Sequence, residues 1–248
     1  MADSLTIIVI AATFLLAGTV KGVIGLGLPT VSLGLLSVAL DLPQAMALLL
    51  VPSFVTNFWQ AAVGGNGRVI LRRLWPFLLA ATVTVWLGIG ALTRVEPALL
   101  TALLGLLLLV YATVSLAGLR LTVTARREPW LGPLLGSVNG ILTGMTGSFV
   151  VPGVMFLQAI GLSRDMLIQA MGMLFTVSTL ALALALRGSG LLTAELGAAS
   201  AAALLPALAG MVLGQRIRRR LPEALFRRVF FIGLLLLGLY IVANAAAS

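Results

Sequence analysis

The chain has no cysteine and no histidine. That excludes disulfides, thiol chemistry, haem ligation and ordinary zinc sites, so neither a metal nor a cofactor is expected. Charge is scarce as well: 9% of the 248 residues are charged and only 7 are acidic. The acids are Asp3, Asp41, Glu96, Glu128, Asp165, Glu195 and Glu223, and all fall near the amino terminus, between apolar runs or close to run ends. None sits at the middle of a run, where a carboxylate would relay protons or hold sodium. Without a nucleophile, base or metal ligand at such depth, the chain is not expected to be an enzyme. The same gap points to movement of a solute down its gradient, or with a proton carried on the solute, although backbone carbonyls stay open as sodium ligands.

Apolar residues dominate what is present: 60% of the chain is hydrophobic. Ten apolar runs follow one another, roughly Leu5–Val20, Pro29–Leu40, Gln44–Val63, Trp75–Leu92, Pro97–Leu119, Trp130–Val138, Ser148–Ile160, Asp165–Leu186, Leu191–Gly214 and Phe226–Ala246. Short loops carrying arginine separate many of them. This predicts an all-α polytopic membrane protein. The net charge of +9 would suggest nucleic acid in a soluble protein. Here the arginines flank apolar runs, so they read as topology signals and lipid head-group contacts, with no nucleic-acid partner. The amino terminus has no basic stretch and its first run is too long for a signal peptide, so it is expected to belong to the mature protein.

Several runs can span a bilayer core of about 30 Å, at 1.5 Å per helical residue. The first runs of each half cannot: as helices, Leu5–Val20 is roughly 24 Å, Pro29–Leu40 roughly 18 Å and Trp130–Val138 roughly 14 Å. Such lengths suit broken or re-entrant helix pairs, or two full crossings of the same parity. With either, the loops 64–74 (Arg68, Arg72, Arg73), 120–129 (Arg120, Arg126, Arg127) and 215–225 (Arg216, Arg218, Arg219, Arg220) share one face. The other face takes both termini, Asp41, the Arg94/Glu96 pair and Arg187. The arginine-rich face is then cytoplasmic. The expectation is a multi-pass protein of the bacterial inner membrane with both termini periplasmic.

The two halves resemble each other at a shift of about 120 residues. Gly18-Thr-Val-Lys21-Gly22-Val-Ile-Gly25 matches Gly136-Ser-Val-Asn139-Gly140-Ile-Leu-Thr143, Leu42-Pro-Gln-Ala-Met46 matches Leu162-Ser-Arg-Asp-Met166, and Thr56 matches Thr176. We expect two repeats, residues 1–120 and 121–248, of about five helical segments each and of opposite orientation, within one membrane domain. Inverted repeats place a transport site near the midplane at their interface.

Lys21 is the only lysine and lies inside an apolar stretch. A cation at membrane depth is costly and marks a functional site by default, though near the end of a span it could instead snorkel to the interface. Beside it runs a glycine-rich break, with Gly22, Gly25, Gly27, Pro29 and Thr30; the second break holds Asn139, Gly140, Thr143, Gly144, Thr146, Gly147 and Ser148. Glycine admits tight turns and a close ligand, and Pro29 suits the first turn of a new helix. A helix opening after each break would aim N–H groups and its positive end at an anion. Helix packing through small residues is the competing reading for these glycines. Asn57 and Thr176 occupy closely corresponding places in the two repeats and are second-tier candidates. Gln44, Gln158, Gln169 and Ser178 read as hydrogen bonds between helices. Trp59, Trp75 and Trp130 read as interfacial anchors.

The run Gly22-x-x-Gly25-x-Gly27 and the segment Thr143-Gly-Met-Thr-Gly-Ser-Phe-Val-Val-Pro152-Gly-Val resemble the TauE/SafE sulfite exporter family, the TSUP permeases. The likeness extends over nearly the whole chain. It implies transport of sulfite or a small organosulfur anion such as sulfoacetate, generally outward. From the residues themselves, the expected function is an alternating-access carrier for a small anion, with an anion channel or a non-transporting scaffold subunit as alternatives. Membrane lipid is the other expected partner, and a homo-oligomer stays open.

Overall fold

The computed structural model describes residues 4–119, 121–220 and 222–247. Asp3 and Arg120 lie outside the described residues. The chain is helical throughout its ordered elements, in the order α1 (Ser4–Ile24), α2 (Leu28–Ala39), α3 (Leu42–Leu48), α4 (Leu50–Ala62), α5 (Gly67–Val83), α6 (Val85–Leu92), α7 (Pro97–Leu116), α8 (Glu128–Thr146), α9 (Gly153–Ala159), α10 (Arg164–Gly188), α11 (Ala194–Arg218) and α12 (Glu223–Ala247). These correspond to the ten apolar runs, with α3/α4 and α5/α6 each subdividing one. Among the described residues, six spans are long and apolar enough to cross a membrane: α1, α5 with α6, α7, α10, α11 and α12; α3 with α4, bent by 44°, makes a seventh if the pair is one span.

Local chemistry accounts for the ends. Pro29, Pro43 and Pro129 open α2, α3 and α8, where a missing N–H is harmless. The side chains of Ser163 and Thr193 cap α10 and α11 by accepting from Met166 N and Leu196 N. The bend between α3 and α4 follows from Pro52, which cannot donate to the carbonyl of Leu48 and crowds it. Ser200 of α11 repairs the gap: its hydroxyl donates to Leu48 O at 2.8 Å and accepts from Val51 N at 3.0 Å. A neighbouring helix thus satisfies backbone that lipid could not.

Two sequence expectations need correction here. Leu5–Val20 is not a half-span, because α1 runs on through Lys21 to Ile24, 21 residues in all. Likewise α8 is 19 residues long and stays helical from Asn139 to Thr146. Of the glycines taken as breaks, Gly22, Gly140 and Gly144 are helical instead, each with a neighbouring backbone where its side chain would be. The true interruptions are narrower, at 25–27 and 147–152. In addition, Arg68, Arg72 and Arg73 lie on α5, and Arg216 and Arg218 on α11, rather than in loops.

The helices form two compact units, each drawing on both halves of the sequence. One comprises α1, α2, α3, α7, α11 and α12; the other begins at Ser53 and comprises the rest of α4 with α5, α6, α8, α9 and α10. The chain passes between units at Pro52/Ser53, Glu96/Pro97, Gly118/Leu119 and Leu191/Leu192.

In the first unit α1 lies along α11, and α7 along α12. Gly18 abuts the carbonyl of Ala207 and Gly22 that of Met211, while Gly214 abuts the carbonyl of Thr19. Tyr111 of α7 meets Phe231 of α12 edge-on, ring centres 5.2 Å apart. In the second unit α8 lies along α5 and α6. Gly136 abuts the carbonyl of Phe77 and Gly140 that of Ala81. Thr84 donates to Ser137 O at 2.9 Å. Small residues let these backbones touch, which replaces the hydrophobic drive that lipid removes. Gln60 donates to Ile168 O and Gln169 to Ala61 O, both at 2.8 Å, joining α4 to α10 as expected for polar residues between membrane helices. Trp59, Trp75 and Trp130 are all exposed.

Candidate functional site

The first interruption belongs to the unit containing α1. Gly25 ends α1 in the left-handed conformation (φ 77°), its N–H on the carbonyl of Lys21 at 2.8 Å. Gly27 (φ 106°) stands at the N-cap of α2 and brings no capping side chain. Both conformations strain any residue with a Cβ. Pro29 and Thr30 form the first turn of α2. Lys21 occupies the last turn of α1, where a cation complements the negative helix end. It is 4% exposed, as is Thr30. Gly22 faces α11, so packing explains its lack of a side chain. Gly25 has open space where a Cβ would be.

The second interruption belongs to the other unit. Gly147 (φ 73°) caps α8, its N–H on Thr143 O at 2.7 Å. The hydroxyls turn inward on the backbone: Thr143 donates to Ser148 O at 3.0 Å and Thr146 to Leu142 O at 2.7 Å, while Thr146 accepts from Ser148 N at 3.2 Å. Asn139 is completely buried in α8. Its Oδ1 accepts from Gly153 N at 2.9 Å, which fixes the start of α9, while its Nδ2 has no hydrogen-bond partner. A Cβ at Gly153 would fall 2.5 Å from that Oδ1, so a larger residue there would displace the Asn139 side chain. Gly140 and Gly144 face α5 and α6: Gly140 meets Ala81 and Thr84, and Gly144 meets Val85 and Gly88.

The second-tier pair divides. Asn57 is buried in a polar cluster between α4 and α10, whereas Thr176 lines an apolar groove of about 560 Å³ with Phe58, Trp75 and Trp86. Thr176 gives its hydroxyl hydrogen to Gly172 O at 2.7 Å. The cluster around Asn57 has a direction. Thr179 donates to Phe175 O at 2.6 Å, so Ser53 is the donor in its 3.2 Å contact with Thr179, and Asn57 Nδ2 donates to Ser53 at 2.9 Å. Sequence reading passed over Ser53 and Thr179, although Ser53 and Asn57 stand four apart on one helix face, a spacing that brings side chains together. Gly153 and Ser200 were also passed over, and their roles depend on partners remote in sequence.

The apolar spans and their helical packing define a polytopic α-helical membrane protein. The family model described as Sulfite exporter TauE/SafE matches residues 10–241. The chain belongs to that family, whose members are transporters rather than enzymes and carry small anions. No curated protein and no solved structure matches it.

Proposed function

We propose that the protein exports sulfite or a small organosulfonate across a bacterial inner membrane as an alternating-access carrier, with its interrupted helices binding the anion. One observation carries this reading: a buried lysine stands four residues before the glycine that ends α1, and α2 then opens with no side-chain cap. A lysine at membrane depth marks a functional site by default, and the uncapped opening of α2 beside it suits an anion. Lys21 and Thr30 are the binding residues of the first break; Asn139 and Ser148 are those of the second.

The inverted duplication of residues 1–120 and 121–248 is part of this proposal. Its support is register. The glycines at 18 and 22 and those at 136 and 140 meet carbonyls spaced alike, at 207 and 211 and at 77 and 81. The carbonyls of Thr19 and Ser137 meet the correspondingly placed Gly214 and Thr84. Both termini are periplasmic in this scheme, as the arginine distribution requires.

Sulfite flux into proteoliposomes tests the function. Wild-type protein is expected to give saturating uptake that shows counterflow, which a channel does not. Lys21→Ala is expected to lower kcat/KM at least about tenfold, a loss of roughly 1.4 kcal/mol of transition-state stabilisation. Absent flux, or full flux in Lys21→Ala, overturns the reading.

A further inference from the structure

Among the described buried side chains, two polar atoms have no hydrogen-bond partner: Asn139 Nδ2 and Ser178 Oγ. Both residues are completely buried, and both belong to the same unit. Their surroundings make the two vacancies conspicuous. Thr179, next to Ser178, is fully engaged with Ser53 and Phe175. Thr143 and Thr146, on the same helix as Asn139, give their hydrogens to backbone. An unsatisfied buried donor costs about 1–3 kcal/mol, so each orphan calls for a use.

The two donors are linked through α10. A Cβ on Gly153 would lie 2.8 Å from Asn139 Cγ and 2.9 Å from Leu174 Cδ2, so Asn139 and Leu174 flank the same point. Ser178 is one turn beyond Leu174, on the same face of α10. The amide of Asn139 is held in orientation, because its oxygen is taken by Gly153 N and only its NH₂ is left. That group can donate and cannot accept.

We propose that Asn139 Nδ2 and Ser178 Oγ both donate to oxygens of the transported anion, and that the Asn139 amide, which cannot accept, favours an unprotonated oxygen. This rests on the transport reading and adds to it a new contact, Ser178. Neutral donors replace part of the hydration shell without adding charge. The Asn139 amide leaves an oxygen that must itself donate, as in a protonated phosphate, poorly matched, whereas the Ser178 hydroxyl can also accept. Specificity built on hydrogen bonds rejects a mismatched ligand strongly, because buried groups are then left unpaired.

The test uses purified full-length protein in detergent, with its melting temperature measured against methanesulfonate, sulfite and phosphate. Wild type is expected to be stabilised by methanesulfonate and sulfite, and less by phosphate. Ser178→Ala breaks no hydrogen bond, so its melting temperature without anion is expected to be unchanged or higher. Its apparent Kd for methanesulfonate is expected to rise at least about fivefold, roughly 1 kcal/mol. Asn139→Asp keeps the acceptor for Gly153 N and replaces the donor; at pH 8 it is expected to lose at least about tenfold in affinity, roughly 1.4 kcal/mol. Unchanged binding in Ser178→Ala, or a lowered melting temperature without anion, overturns the proposal and leaves the transport reading standing. A wild type that no anion stabilises overturns both.

Discussion

At the scale of residues, glycine divides into two kinds. Gly25, Gly27 and Gly147 hold left-handed backbone that ends or opens a helix, while Gly22, Gly136 and Gly140 are flush against another helix. Sequence alone presents both kinds in one cluster, and the difference comes from the partner helix, remote in the chain. A substitution separates them. Gly140→Val would drive side-chain atoms into the carbonyl of Ala81 and the hydroxyl of Thr84, and is expected to destabilise by about 1–3 kcal/mol, since both are fixed. A urea-induced unfolding series in detergent reads this directly, and a variant as stable as wild type contradicts the packing role. Lys21 was legible from composition, because the only lysine in a chain otherwise basic through arginine stands out. Ser178 was not, because a serine in an apolar run reads as an ordinary helix contact until its neighbours' hydrogen bonds are known.

At the scale of elements, the ten apolar runs were legible and most of their limits were close. The errors at α1 and α8 share one cause. A glycine was taken to stop a helix, when in lipid-facing bundles it continues a helix wherever another backbone lies close. The opposite error occurs at Leu49, where one apolar run hides a bend of 44°. Pro52 announces that bend, but what makes it tolerable, Ser200 on α11, is 149 and 152 residues from its two backbone partners. Ser200→Ala would leave Leu48 O and Val51 N without this shared partner, and is expected to cost about 1–3 kcal/mol. The measurement is the thermal midpoint of the purified variant; a shift within error of zero removes Ser200 from this role. By contrast, the Arg73–Glu128 pair at 2.7 Å, partly exposed on the arginine side, is worth little once solvent screening is counted.

At the scale of the whole molecule, the sequence carried class, family and the positive-inside pattern. It did not carry the two units, because contact between distant segments leaves no trace in composition or period. The lack of cysteine makes sidedness directly measurable, since every introduced thiol is unique. Single variants Arg94→Cys and Ser189→Cys are expected to react in intact cells with a maleimide that cannot cross membranes. Asn66→Cys and Arg126→Cys are expected to react only after the membrane is opened. The reverse pattern would place both termini in the cytoplasm and turn the direction of the proposed site around.

The passage of the chain between its two units sets a mechanical condition on any carrier built this way. Four connections join them, and each has a proline or a left-handed glycine within two residues: Pro52, Pro97, Gly118 and Gly190. Any change of one unit that leaves the other in place falls on these four short stretches of backbone; Pro52 lies inside α4, whereas Pro97 opens α7 and the two glycines lie outside helices.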